Sequence, residues 1–231
     1  MIRKLAQRIL LIIIMAVTVS CKEEYTVLFP DRSCESPCWN GIMPGKTTEE
    51  ELLADLKNIP TIVEDSIYIY GQSDIFDNLV CFSLPSKVEA EVYIIKDKVV
   101  LILFKGKPGI TIGQVIEQIG QPEYIITNPT AVHVSFGLSL NILVHGIYLS
   151  KGIGFRYDSG KYNIALKSKI TPERKLDLFY YFDPNLYLQL AETGMFGHGA
   201  NITPQKALML LQPWSGYGVI GEKYPPVDYK Y

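Results

Sequence analysis

The sequence predicts an α+β fold: two tandem units, each a short helix packed on an antiparallel sheet, and then a helical C-terminal extension. Three observations carry this. Segments 44–60 and 107–122 share one grammar, a Pro-Gly turn, a threonine, a short amphipathic helix and a closing proline. Each is followed by short β-branched and aromatic runs separated by turn residues, the pattern of consecutive strands. Beyond residue 170 the pairs Asp183-Pro184 and Thr203-Pro204 mark helix starts instead. The resulting division is a signal peptide at 1–20, a tether and stapled turn at 21–43, units at 44–106 and 107–170, and the extension at 171–231.

The chain has 231 residues, 48% of them hydrophobic, enough for one large domain or two small ones. Arg3, Lys4 and Arg8 form a basic start, and 9–19 is an apolar run with one threonine. Such a run spans roughly 16 Å as a helix, about half a bilayer core, so it reads as a signal-peptide segment and not a membrane span. Thr18-Val19-Ser20-Cys21 resembles a bacterial lipobox, although a leucine is usual where Thr18 stands. The resemblance implies cleavage after Ser20, acylation of Cys21 and attachment to the extracytoplasmic face of the cell membrane; ordinary secretion or an uncleaved anchor is the alternative. Two or more acyl chains hold a protein firmly to a bilayer. The leader carries three of the 22 basic residues and none of the 24 acidic ones, which leaves a mature chain near −5. That charge argues against nucleic acid or a polybasic membrane surface.

Cys34, Cys38 and Cys81 remain in an oxidising space. Cys34-Glu35-Ser36-Pro37-Cys38 most simply closes a small disulfide loop, with pairing of either cysteine to Cys81 as the alternative. Cys81, in an apolar run, reads as a buried thiol. The spacing is one residue too long for a Cys-x-x-Cys redox site, and no helix follows it. Two cysteines with no histidine nearby cannot make a zinc site.

In the first unit Thr48 and Glu51 form a capping-box pattern, and Leu52, Leu53 and Leu56 supply an apolar face up to Ile59. Strands are predicted at 66–70, 79–84, 88–96 and 98–105, with Lys96-Asp97-Lys98 as a tight hairpin. The second unit repeats these positions with an offset of 63 residues: Thr111, Gln114, Val115, Ile116 and Ile119, with Gly120 as a helix end. The Pro-Gly turns are offset by 64, one residue of slack in a loop. Strands are predicted at 124–127, 131–136, 140–149, 153–157 and 162–167. In the extension, helices are predicted from Asp183-Pro184 to about Glu192 and from Thr203-Pro204, the latter with Ala207, Leu208 and Leu211 on one face.

Gly109, Thr111, Val115, Ile119, Gly120 and Pro122 carry a resemblance to the BamE-type small lipoproteins of the outer-membrane assembly machine. The doubled unit also looks like the tandem β-lactamase-inhibitor proteins. The first unit departs from this pattern, with Lys57-Asn58-Ile59-Pro60 in place of Gly-x-Pro. Residues 34–45 further resemble the opening of uncharacterised envelope lipoproteins from filamentous anaerobic bacteria, a likeness that brings no function. The family resemblance implies a non-catalytic module that binds another envelope protein or assists envelope assembly.

No catalytic constellation emerges, and neither a cofactor nor a metal site is expected. His133 and His145 would face each other across a hairpin centred on Ser139, but 124–157 supplies no third, carboxylate ligand. His198, Ser215 and Asp228 can be written as a triad, yet Pro213 stands where a nucleophile elbow has glycine, which leaves a hydrolase as a weak third reading. The Gly-rich 105–109 lacks a P-loop ending. Aromatic content is the better lead. Fifteen tyrosines include Tyr217, Tyr224 and Tyr229 beside Trp214 near the end. These four could bind a protein, a solute or a glycan; the alternative is that they seal a sheet.

Overall fold

The computed structural model describes residues 28–29, 34–73, 75–106, 109–127, 129–134, 137–196 and 202–227. Its class is α+β, one large antiparallel sheet with a few short helices. Cys21, Tyr229, His198 and Asp228 lie outside the described residues. No helix among the described residues is long and apolar enough to cross a membrane.

Cys34 and Cys38 are disulfide-bonded, with Cα atoms 5.9 Å apart, and Cys81 is free. The stapled turn delivers Trp39, fully buried, stacked on Phe82 at 5.6 Å and tilted against Phe104 at 5.0 Å. Gly45 N–H then donates to Val99 O, and Val99 N–H to Thr47 O, which ties the turn to the sheet. Helix α1 (Glu49–Leu56) follows, with Thr48 and Glu51 closing a reciprocal capping box and Leu52 and Leu56 buried. Strands β1 (Tyr68–Tyr70), β2 (Asn78–Leu84), β3 (Val88–Ile95) and β4 (Lys98–Lys105) form an antiparallel meander. Ile95 pairs with Lys98, so Lys96 and Asp97 alone make the turn, both at positive φ (50° and 60°). Such a two-residue turn matches the twist of the strands it joins.

Helix α2 (Ile112–Ile119) has the second capping box, Thr111 with Gln114. Strands β5 (Tyr124–Ile126), β6 (Pro129–Val134), β7 (Gly137–Tyr148) and β8 (Ile153–Lys161) continue the sheet. The predicted strand at 162–167 is instead a single helical turn, α3 (Tyr162–Ala165). The extended run ends at Lys161, just past Gly160 at φ +91°; Ala165 is then fully buried and Tyr162 and Leu166 pack partly on the core, while Ile164 is 66% exposed. A half-buried strand would need alternate residues facing the core.

The extension differs most from expectation. After β9 (Lys169–Ile170), β10 (Leu178–Phe182) enters the middle of the sheet, between β4 and β8. Its five residues are all buried, as a strand covered on both faces requires. Helices α4 (Tyr187–Glu192) and α5 (Pro204–Met209) follow, the second capped by Thr203. Ala207 and Leu210 face inward on α5, whereas Leu208 is 50% exposed, which shifts the apolar face from the one predicted. Strands β11 (Gln212–Pro213) and β12 (Gly218–Val219) and helix α6 (Ile220–Lys223) close the described chain.

The strand order is β1-β2-β3-β4-β10-β8-β7-β5-β11, with β6 pairing β7 beside β5. Apolar residues form two cores. One holds Trp39 and the inward residues of α1, α2, α3 and α6. The other holds Tyr180 and Phe182 under Tyr187, Leu190, Phe196, Ala207 and Leu210.

Candidate functional site

Alternation along the strands sorts the sheet residues into two faces. The register places Tyr68 opposite Cys81, Cys81 opposite Glu91, Glu91 opposite Leu103, Leu103 opposite Tyr180 and Tyr180 opposite Gly154. That row crosses one face from edge to centre. A second row on the same face joins Tyr70, Leu79, Tyr93, Leu101 and Phe182. The β4–β10 end of both rows is buried under α4 and α5, with Phe196 5.5 Å from Tyr180 and 5.3 Å from Phe182. At the β1–β3 end the face is only partly covered, with Phe76 set against Tyr93. Tyr68 and Tyr70 are 59% and 57% exposed, and Ile69, on the opposite side of β1, is 53% exposed.

A groove of about 430 Å³ runs along this open half, lined by Tyr68, Tyr70, Leu79, Cys81, Glu89 and Glu91 among others. Of its lining residues, Glu91 is held by neighbours beside the groove. Tyr93 donates from its hydroxyl to Glu91 at 2.6 Å, Lys105 pairs with the same carboxylate, and Phe76 sits edge-on to Tyr93 at 5.0 Å. Burial, and then the bond to Glu91, push the Tyr93 phenol up. Burial and the Glu91 carboxylate likewise raise the Cys81 thiol, which leaves it largely protonated and a poor nucleophile at neutral pH.

A larger groove, about 830 Å³, lies between β8 and the strap 171–177. Several of its polar groups are engaged by their neighbours. Arg156 pairs with Asp177 at 3.2 Å, Asn141 donates to Asp158, and the Arg174 guanidinium sits 5.2 Å from the Tyr157 ring centre. The strap also accepts from the first turn of α2, through Arg174 O and Pro172 O. These bonds make the strap a cap on α2.

The sequence-predicted site residues disperse. Trp214 stacks on Tyr224 at 5.9 Å and meets Tyr217 edge-on at 5.5 Å. Tyr224 has no exposed surface; its hydroxyl accepts from Ser215 N–H and donates to Gly216 O, both at 2.8 Å. It is a core residue, and of the three only Tyr217 is exposed, at 36%. This aromatic stretch straps the sheet: Trp214 N–H donates to Glu123 O, and Thr127 donates to Tyr224 O.

The histidine pairing is corrected. The β6–β7 turn falls between Val134 and Gly137, so His133 pairs with Leu138. The long β7 strand carries His145 on to Ile126 and Arg156, where it is buried with Nδ1 3.3 Å from the Tyr180 hydroxyl. No group of three or more histidine, cysteine or acidic side chains that could hold a metal is found among the described residues.

The residues missed from sequence are Tyr68, Ile69 and Tyr70, read only as a strand. Their signal was three consecutive large side chains bounded by Gly71; what makes them a site is their place at the sheet edge. No family model, curated protein or solved structure matches this chain.

Proposed function

We propose that this chain is a membrane-anchored, extracytoplasmic lipoprotein that works without catalysis, binding another envelope protein through the open half of its sheet. The observation that carries this reading is the open β1 edge, with Tyr68 and Tyr70 exposed on the groove side and Ile69 exposed on the other. Tyrosines bring large contact area with few torsions to order, which suits a contact surface. Isolated exposed apolar residues need no explanation, but a contiguous strand of them does.

The anchor in this reading is an acylated Cys21, and the docking face stands on two tandem helix-plus-sheet units. Supporting the doubled unit are the matching capping boxes at Thr48 and Thr111 and the antiparallel strands after each helix. In both, the N-cap threonine bridges to a lysine of a neighbouring extended segment, Lys98 for Thr48 and Lys175 for Thr111.

The test is site-specific photocrosslinking in the source cells. A benzophenone amino acid at position 70 should give a discrete protein adduct. The same group at exposed Lys57, beyond the end of α1, should not. Equal adduct patterns at both positions, or none at 70, would remove the reading. Cys21→Ser should release the protein from the membrane fraction; retention would remove the lipid anchor from it.

A further inference from the structure

The open half-face has a free edge and a one-sided charge. Within the described sheet β1 pairs with β2 alone, so the outer main-chain groups of Tyr68-Ile69-Tyr70 face no neighbouring strand. Edge strands are ordinarily blunted by shortness, a charge, a proline or a bulge. β1 is short, at three residues, but carries no charge, proline or bulge. The edge is therefore a template for one more strand.

Charge says what kind of strand. The only charged residues lining the groove are Glu89 and Glu91. Lys105 meets Glu91, whereas Glu89 is exposed and has no ion-pair partner among the described residues. The whole stretch 64–91, which makes β1, β2 and the start of β3, holds six acidic residues and one basic one, a net of −5. The full chain is only −2, so this stretch is far more acidic than the chain as a whole. Exposed tyrosine rings next to carboxylates favour a guanidinium or ammonium group, through the ring quadrupole and through charge.

Resting on the protein-binding reading above, we propose that β1 takes up an extended, basic segment of its partner as an added antiparallel strand, with lysine or arginine alternating with apolar residues. Main-chain hydrogen bonds to β1 supply the pairing. Side chains on one face of the added strand, spaced about 7 Å apart, reach Tyr68 and Tyr70. The acidic stretch selects basic over acidic segments and draws them in.

The test uses the full chain and four labelled, end-capped heptapeptides followed by fluorescence anisotropy. The first alternates valine and arginine, the second valine and glutamate, and the third and fourth are the arginine peptide N-methylated at one or the other alternate set of amides. The arginine peptide should bind at least about tenfold more tightly than the glutamate peptide. Methylation in one of the two alternate sets, the set facing β1, should weaken binding about tenfold, and in the other set it should not. The double variant Asp65→Lys with Glu89→Lys reverses two exposed charges without disturbing a buried residue and should lose the preference for arginine. Failure of the arginine peptide to bind, equal binding of both charges, or indifference to both methylation sets would overturn the proposal. Should position 70 still crosslink to a protein in cells, such a failure removes the basic strand and leaves the docking face standing.

Discussion

Tyr68 lies directly opposite Cys81 across the β1–β2 pair, and both line the same open groove. Burial and the Glu91 carboxylate hold the thiol above its ordinary pKa of 9.0. Alkylation by iodoacetamide should therefore be slow at neutral pH and keep rising with pH beyond 9.0. Tyr68→Ala should speed it several-fold at fixed pH by opening access, and Glu91→Gln should move the pH profile downward. A rate that levels off below pH 9.0 would contradict this environment.

The middle of the sheet depends on a glycine. Gly154 pairs with Tyr180, and a Cβ there would stand 2.4 Å from the Tyr180 ring. Neither side can yield easily, since Tyr180 is packed under Phe196 at 5.5 Å. Gly154→Ala should cost about 1–3 kcal/mol, lowering Tm by roughly 2–4 °C per kcal/mol. Gly71→Ala, where a Cβ meets nothing within 4 Å, is the matched control. It should stay within about 0.5 kcal/mol of the parent.

Trp39 joins the stapled turn to the first core. Trp39→Ala removes its contacts with Phe82 and Phe104 and leaves a cavity beneath β2 and β4. The expected loss is about 3–5 kcal/mol in chemical denaturation. A loss under about 1 kcal/mol would mean that the turn is held by its disulfide and not by this side chain.

What was legible in the sequence was local. Thr48 and Thr111 announced their helices because an N-cap, an N3 acceptor and apolar spacing lie within eight residues. Lys96-Asp97 announced a hairpin for the same reason. Leu178–Phe182 is an unbroken apolar run between Asp177 and Asp183-Pro184, consistent with a central strand, but periodicity cannot separate that from a buried helix. Only the partners β8 and β4, more than twenty and more than seventy residues away, decide it. The candidate site is non-local in the same way. Tyr68, Ile69 and Tyr70 form an exposed edge because β10 takes the central place and α4 and α5 cover the other end of the face. Nothing within three residues of Ile69 encodes that arrangement.

The two capping boxes differ in one atom type, and this makes a pH experiment possible. Glu51 accepts from Thr48 N–H at 2.8 Å, and Gln114 accepts from Thr111 N–H at 2.9 Å. The backbone bond to Thr48, then its hydroxyl, hold the Glu51 carboxyl below its ordinary value of 4.5. A depressed folded-state pKa means the contribution is complete above pH 4.5 and is lost as pH falls through the folded value. Acidification across that window should therefore loosen α1 while α2, capped by an amide, holds. Amide exchange should show protection at Leu52 falling relative to Val115. In Glu51→Gln, which keeps the box and removes the titration, the two helices should respond alike. Thr111→Ala supplies the converse, weakening α2 by about 1 kcal/mol at every pH because no proton is involved. If Leu52 and Val115 lose protection in parallel in the parent chain, global unfolding and not the Glu51 cap sets the acid limit.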